Sequence, residues 1–224
     1  MPQQQRAQEM IDRILSAAAQ VLSESGYAGL STNRVAAAAG VSIGSLYRYF
    51  AGKNELIEEL RARSSADVLA DLTGALTAAV GMSARDGVHH ILSVLVGAVK
   101  RHRAVTTAMI AEAPLGAHGN ILPEVERQLT QVTRIFVAVH APELDPAEAD
   151  ARIHLAMGVT LNACLRIALE PPAGVTEDRL ISLTADLLVL GLVPDPVRTH
   201  PDPAQSRPDP VRTRPDPVRA RPGR

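Results

Sequence analysis

The sequence predicts an all-α fold of about nine helices, and two observations lead to this prediction. Apolar residues recur at intervals of three and four over most of residues 1–193, the spacing that places side chains on one face of a helix. Sustained alternation of apolar and polar residues, the pattern of a half-buried strand, does not occur together with hairpin turn residues. The chain is therefore expected to pack helix against helix.

Four helices are expected in the first 80 residues. Gly26 should end the first helix and Gly40 the second, because glycine readily adopts the backbone conformation that follows a helix. Polar residues should cap the next three helices at their N-termini, at Ser31 or Thr32, at Ser42 and at Asn54. The apolar stripes of the first and fourth helices span residues 11–22 and 56–76, and the second and third helices are expected at 33–39 and 42–49.

Five further helices follow. Ser83 with Asp86 three residues later has the pattern of a capping box before the fifth helix. Asp145 precedes Pro146 at the first position of the eighth helix, where proline is favoured. Thr176 should cap the ninth. The stripes or limits of these five helices lie at 91–99, 104–113, 121–139, 146–169 and 177–193.

The cysteine content and the longest apolar run indicate the cellular setting. Cys164 is the only cysteine, so an internal disulfide framework is excluded and a reducing cytosol fits. The longest apolar run covers only residues 187–193, too short for the roughly 18 residues of a membrane span. Residues 1–10 lack the apolar centre of a signal peptide. We expect a cytoplasmic protein with no membrane partner.

No sequence motif of a common catalytic or metal site is present. His89 and His90 are adjacent rather than four residues apart, and HExxH, CxxC and the nucleophile elbow do not occur. A phosphate-binding loop would need glycine five residues before Gly52, where Tyr47 stands. We therefore expect no enzyme, no metal and no cofactor.

Positive charge and aromatic side chains concentrate in residues 25–54. The whole chain has a net charge of −1, but this window contains no acidic residue and carries Arg34, Arg48 and Lys53. It also contains four of the five aromatic residues of the protein. A basic, aromatic-rich patch indicates an anionic partner.

The two short helices predicted in this window form a helix-turn-helix pattern around Gly40. In such a unit the second helix lies in the major groove of DNA with its N-terminal residues toward the bases. Ser42 and Ser45 would then bond base edges or phosphates, and Gly44 would permit close backbone approach. The alternative is a helical hairpin inside a bundle with no role in DNA binding.

The stretch GYAGLSTNRVAAAAGVSIGSLYRYFAGKNEL, residues 26–56, resembles the DNA-binding domain of the TetR family of bacterial transcriptional regulators. The resemblance covers about residues 11–60, and its most specific part runs from Gly40 to Phe50. One departure is Leu22, where the family usually has phenylalanine. The resemblance implies a three-helix DNA-binding domain over residues 1–53.

The resemblance also implies roles for individual residues. With Arg34 included for its charge, the set expected to bind DNA is Thr32, Arg34, Ser42, Gly44, Ser45, Tyr47, Arg48, Tyr49 and Lys53. Thr32, Tyr49 and Lys53 would contact backbone phosphates. The others, apart from Arg34, would meet the operator from the recognition helix, with Ser45 and Arg48 as candidate base readers.

By the same resemblance, residues 54–193 would form a helical domain that binds a small-molecule inducer and dimerises. The last helix independently favours a homodimer, because its apolar residues cover so wide an arc that one neighbouring helix cannot bury them. A fully buried core helix is the alternative. The expected interface comprises Leu180, Leu183, Leu187, Leu188 and Leu190.

The inducer is expected to be mainly apolar. Phe136 is the only aromatic residue after Gly52, so an aromatic cage for a planar cation is not expected. The candidate pocket residues are Met109, Phe136, His154, Met157, Leu161, Asn162 and Cys164. The predicted protein is a dimeric repressor that an inducer releases from a palindromic, double-stranded operator; a ligand-independent regulator or an activator is the alternative.

The last 31 residues, 194–224, repeat an imperfect Pro-Asp-Pro-Val-Arg unit and contain nine prolines. Proline removes backbone donors, so we expect an extended, disordered tail. Its seven arginines and four aspartates give a net charge of +3, enough for weak, salt-sensitive attraction to DNA. We nevertheless expect an appendage whose deletion leaves operator binding nearly unchanged; a partner-binding role is a further alternative.

Overall fold

The computed structural model of the chain describes residues 2–112 and 123–193. These residues form nine α-helices and no strand, which confirms the all-α prediction. None of these helices combines the length and the apolar character that a membrane span requires. In chain order the helices are α1 (Pro2–Gly29), α2 (Thr32–Ala39), α3 (Ile43–Tyr47), α4 (Lys53–Ala79), α5 (Ala84–Arg101), α6 (Arg103–Glu112), α7 (Pro123–His140), α8 (Pro146–Leu169) and α9 (Glu177–Leu192).

Polar side chains cap most of the helices where the sequence predicts them. At the start of α2 the hydroxyl of Ser31 accepts the backbone N–H of Arg34 at 3.3 Å. At the start of α3 the hydroxyl of Ser42 accepts the N–H of Ser45 at 3.0 Å. These bonds satisfy donors that a helix leaves unpaired at its N-terminus. The same type of cap begins three later helices, at Ser83, Asp145 and Thr176.

The prediction that Asn54 caps α4 is wrong. The helix begins one residue earlier, at Lys53, and its N-cap is Gly52, which has no side chain to accept a hydrogen bond. The carboxylate of Glu55 instead accepts the backbone N–H of Ala51 just before the helix. The bond ties the residue before the N-cap to the first turn, and the negative charge of Glu55 is favourable at this end of the helix dipole.

Two predicted helix ends differ from the structure. The helix expected to end at Gly26 continues to Gly29 through a kink, where Gly26 has φ 63° and ψ −176°. The helix expected to reach Tyr49 ends at Tyr47, because the N–H of Tyr49 bonds the carbonyl of Leu46 at 2.9 Å in a tighter turn.

Three predicted features lie outside the described residues. These are the last residue expected in α6, Ala113, the expected start of α7 at Ile121, and the tail of residues 194–224. Within the described residues α6 ends at Glu112 and α7 begins at Pro123.

The buried side chains form two hydrophobic clusters. The N-terminal core joins α1, α2, α3, the start of α4 and α6. The C-terminal core joins the rest of α4 with α5, α7, α8 and α9. Leu56 and Leu60 of α4 belong to the first core, whereas Val68 and Leu72 belong to the second. A single long helix therefore contributes to both cores, and the expected domain limit at residues 53 and 54 stays a prediction.

A half-buried histidine, His102, lies between α5 and α6 and contacts α4. His102 Nδ1 is hydrogen-bonded to the hydroxyl of Ser64 at 3.1 Å, and Asp67 Oδ2 lies 3.7 Å from Nε2. The hydroxyl of Ser64 is buried, and its bond to His102 links α4 to the junction of α5 and α6. Burial lowers the pKa of His102 from its ordinary value, and the nearby charge of Arg101 lowers it further. The carboxylates of Asp67 and Asp71 raise this pKa, but their effect is smaller than that of burial.

We expect acid to destabilise the fold through His102. The unfolded chain takes up a proton on this side chain near pH 6.5, whereas the folded state resists protonation, so the contribution of His102 to stability is present above that pH and is lost below it. His102→Gln should weaken the fall in unfolding free energy between about pH 7.5 and pH 5.5. Urea unfolding at the two pH values measures this fall. His154→Gln, at an exposed histidine of α8, is the matched control. Equal pH dependence in His102→Gln and the unaltered protein would contradict the assignment.

Candidate nucleic-acid interface

The turn between α2 and α3 fixes the two helices as a compact pair. Gly40 adopts the left-handed conformation with φ 63°, which glycine reaches without strain. Its N–H and that of Val41 donate to the carbonyls of Ala37 and Ala36, closing the end of α2. Leu46 of α3 is then fully buried in the N-terminal core. This is the helix-turn-helix arrangement expected from the sequence.

The opposite face of α3 is exposed. Ser42, Gly44 and Arg48 are all exposed, and the ring of Tyr47 projects with 53% of its surface accessible. The hydroxyls of Ser42 and Ser45 are hydrogen-bonded to each other at 2.8 Å. The face thus presents hydroxyl groups, a phenol and a guanidinium, side chains that can bond base edges or phosphates.

Gly44 is not required by the packing of the chain itself. A Cβ atom built at this position would meet only one neighbouring atom, Ser42 Oγ at 4.0 Å. The φ of Gly44 also lies outside the left-handed region. Because neither space nor conformation requires glycine here, a requirement for it would come from a molecule that approaches α3.

Thr32 and Tyr47 are joined across the helix-turn-helix. Their hydroxyl groups are hydrogen-bonded at 3.2 Å, which connects the start of α2 to the end of α3. The bond holds both hydroxyls at one edge of the unit. A backbone phosphate at that edge would meet two groups that can donate to it.

Two of the three cations in residues 25–54 are occupied by contacts to the end of α1. Arg34 donates from Nη1 to the carbonyl of Gly29 at 2.9 Å and from Nη2 to Ser25 Oγ at 2.7 Å. Lys53 Nζ donates to the carbonyl of Tyr27 at 2.7 Å and lies 3.5 Å from the centre of its ring. These contacts were not predicted from the sequence. The only signal for them was the pair of glycines in SGYAG, residues 25–29.

A second exposed surface is apolar and lies on α8 and α9. Its large side chains are Leu155, Val159, Leu183, Leu187 and Leu190. Gly158 and Gly191 are exposed on the same two helices, and a Cβ at either would meet nothing within 4 Å. We call these residues the α8–α9 face. Of the residues expected at a dimer interface, Leu183, Leu187 and Leu190 belong to this face.

The other two predicted interface residues lie elsewhere. Leu188 is only 6% exposed and is part of the C-terminal core, because α9 turns the side of Ile181, Ala185 and Leu188 inward. Leu180 is partly buried against the same core. The assignment of Leu188 to a surface is therefore corrected.

A small apolar cavity lies within the C-terminal part of the molecule. It measures about 60 Å³ and is lined by residues of α5, α7, α8 and α9. Among the described lining residues, the polar ones are Thr133 and Thr160, and the Thr133 hydroxyl already donates to the carbonyl of Leu129 at 2.8 Å. Of the predicted pocket residues, Phe136 and Met157 line this cavity.

The remaining predicted pocket residues do not line this cavity. Met109 packs against the N-terminal core, and Leu161 packs against the C-terminal core. His154 and Asn162 are exposed. Cys164 is buried in the C-terminal core, and burial raises the pKa of its thiol to about 12, so it is a packed, unreactive side chain. In the described ranges no group of three or more His, Cys, Asp or Glu could hold a metal ion.

Residues 14–60 match the family model of bacterial regulatory proteins of the tetR family. The chain is also similar to the HTH-type transcriptional repressor DrrR1 of Streptomyces coeruleorubidus, with 48% identity over 48 residues. That match covers 21% of this chain and 18% of the repressor. The sequence similarity to this relative is thus limited to about a fifth of each chain.

Solved structures extend the likeness to most of the fold. A TetR-like transcriptional regulator from Rhodococcus sp. RHA1 has a TM-score of 0.62 and 22% identity, covering 82% of this chain and 95% of the other. The multidrug binding protein EbrR, solved in complex with imidazole, has a TM-score of 0.57 and 22% identity, covering 83% and 96%. The likeness in fold therefore extends beyond the helix-turn-helix to most of the chain.

Proposed function

We propose that this chain, a member of the TetR family by its N-terminal domain and its fold, is a DNA-binding transcriptional regulator and acts as a repressor. The observation that carries the proposal is the exposed face of α3. It stands on a helix-turn-helix within residues 25–54, which contain three cations and no acidic residue. Such a face attracts the phosphate backbone and presents polar side chains to base edges.

The positions of the side chains support the proposed contacts. Ser42, Gly44, Ser45, Tyr47 and Arg48 are carried on or next to α3 and would face the bases. Tyr47 would also contact the phosphate backbone, because its hydroxyl is hydrogen-bonded to that of Thr32 at the edge of the unit. The residues assigned to backbone phosphates are Thr32, Tyr49 and Lys53, and Lys53 would exchange the carbonyl of Tyr27 for a phosphate oxygen.

The α8–α9 face supports a two-fold homodimer. Contiguous exposed apolar residues are unfavourable in water and mark interaction surfaces, and the two exposed glycines would let helices of a second subunit approach closely. A two-fold dimer places its two recognition helices about 34–36 Å apart, one turn of DNA, and so reads a palindromic operator.

The apolar cavity supports regulation by a small, uncharged ligand. Its described lining contains no charged residue and consists mainly of aliphatic side chains. Ligand pockets usually measure about 300–1,000 Å³, so the cavity would have to enlarge when a ligand enters. Helix movement of that kind would couple ligand binding to release from DNA. The small size of the cavity equally favours the alternative, a regulator that needs no ligand.

Fluorescence anisotropy of labelled DNA tests the proposal. The DNA would be taken from immediately upstream of the gene for this protein, with scrambled DNA of the same composition as control. We expect tight, sequence-dependent binding that weakens steeply as salt is raised, since each neutralised phosphate releases a counterion. Equal affinity for scrambled and upstream DNA would contradict specific control at this site, and genome-wide site selection would then decide whether a distant operator exists.

A further inference from the structure

The end of α1 has an unusual construction. At Gly26 the backbone leaves the helical conformation, so the last turn of the helix, Tyr27 to Gly29, is offset from the turns before it. The carbonyl groups at the end of a helix have no intrahelical partner and carry partial negative charge. Two cations from other helices bond these carbonyls, Arg34 of α2 and Lys53 of α4. We call this arrangement the α1 corner.

Arg34 bridges two turns of α1. Its Nη1 donates to the carbonyl of Gly29 at 2.9 Å and its Nη2 donates to the hydroxyl of Ser25 at 2.7 Å. Because the guanidinium is planar and its donors are fixed relative to one another, two simultaneous bonds define its position and orientation. A lysine at this position has the charge but presents one nitrogen, and it cannot make both bonds in this geometry.

Gly29 has the space that this bridge requires. A Cβ built on Gly29 would lie 2.4 Å from Ser25 Cβ and 3.1 Å from Arg34 Nη1. The first distance is far shorter than any ordinary contact between carbon atoms. Glycine at position 29 thus lets the side chains of Ser25 and Arg34 meet over the end of the helix.

The bridge acts on the recognition helix through α2. Arg34 lies in the first turn of α2, and α2 is tied to α3 by the Gly40 turn and by the bond between Thr32 and Tyr47. A change in the angle between α1 and α2 would therefore move α3 as well. Arg34 stands at the point where that angle is set.

We propose that Arg34 is a positioning residue, which fixes α2 and α3 against the end of α1 and does not itself bind a phosphate. The proposal rests on the proposed function and changes one part of it, because the charge of Arg34 first suggested a direct contact to DNA. Both terminal nitrogens of Arg34 already bond α1, and a phosphate contact would break at least one of these bonds. Among the three cations of residues 25–54, Arg48 is exposed and is the one that can meet DNA without breaking a bond to α1.

The test compares three variants of the α1 corner with a matched cation variant. Arg34→Gln removes both the charge and the bridge, and Arg34→Lys keeps the charge without the bridge. Gly29→Ala keeps the arginine at position 34 but fills the space in which its side chain bridges α1. Arg48→Gln is the control for a cation that binds DNA. Operator affinity is measured by anisotropy at several salt concentrations and at a temperature where all variants are folded by circular dichroism.

We expect all three corner variants to weaken operator binding by roughly tenfold, with an unchanged slope of log K against log salt, since the protein still neutralises the same phosphates. Arg48→Gln should instead lower the ratio of operator affinity to scrambled-DNA affinity, because Arg48 is assigned to the bases. Normal affinity in Arg34→Lys together with a reduced slope in Arg34→Gln would assign Arg34 to a phosphate and overturn the proposal.

Hydrogen exchange in the free protein separates this proposal from the proposed function. Backbone amides of residues 30–35 should exchange faster in Arg34→Lys, Arg34→Gln and Gly29→Ala, and at the normal rate in Arg48→Gln. Failure of the unaltered protein to bind any DNA specifically would refute the proposed function without altering this result. Unchanged exchange in both Arg34 variants would refute the bridge as a positioning device.

Discussion

Leu187→Glu is expected to convert the protein to a monomer and to weaken operator binding by at least roughly 100-fold, towards its affinity for non-specific DNA. Leu187 is 64% exposed on the α8–α9 face, between Leu183 and Leu190. In a two-fold interface the same patch serves both subunits, so one substitution would bury two carboxylates. An uncompensated buried charge costs about 3–5 kcal/mol. A monomer would then hold only one half of a palindromic site.

The matched control for this prediction is Ile135→Glu. Ile135 is 67% exposed, so it is as accessible as Leu187, but it lies on α7 and outside the α8–α9 face. Sedimentation velocity of both variants measures the oligomeric state, and thermal unfolding verifies that each is folded. A dimeric Leu187→Glu beside a monomeric Ile135→Glu would place the interface on α7. An unaltered protein that sediments as a monomer at all concentrations would refute the dimer itself.

The sequence predicted the parts of the fold that depend on near neighbours. The Ser31 and Ser42 caps and the Gly40 turn each bond residues within about five positions along the chain. Local chemistry of this kind is visible in a short stretch of sequence. The predicted cap at Asn54 is wrong because the helix begins one residue earlier, with Gly52 as its N-cap, and the carboxylate of Glu55 bonds the backbone just before it.

Features that depend on how helices face one another could not be predicted in the same way. On α9 both adjoining arcs are apolar, so spacing alone could not decide that Leu188 points inward and Leu187 outward. The contact between Lys53 and Tyr27 joins residues 26 positions apart and depends on the kink at Gly26. The cavity likewise requires four helices to meet, which explains why only Phe136 and Met157 of the seven expected pocket residues line it.

Gly44→Ala should weaken operator binding by roughly 10- to 100-fold, equivalent to the about 1–3 kcal/mol that one disturbed base pair costs. The added methyl group would project from the exposed face of α3 into the space that DNA would occupy. The free protein should tolerate the change, because the nearest atom to a Cβ at this position is 4.0 Å away. Alanine in place of a helical glycine should even stabilise the fold, by about 0.5–1 kcal/mol.

Gly74→Ala is the matched control for this substitution. Gly74 is an exposed glycine inside α4, and a Cβ there also meets nothing within 4 Å. Both alanine variants should raise the unfolding midpoint in urea, while only Gly44→Ala should lose affinity in the anisotropy titration. Opposite effects of one substitution on stability and on binding cannot arise from damage to the fold. If Gly44→Ala bound the operator as tightly as Gly74→Ala, then α3 would not approach DNA closely at this position, and the assignment of its exposed face to the major groove would have to be withdrawn.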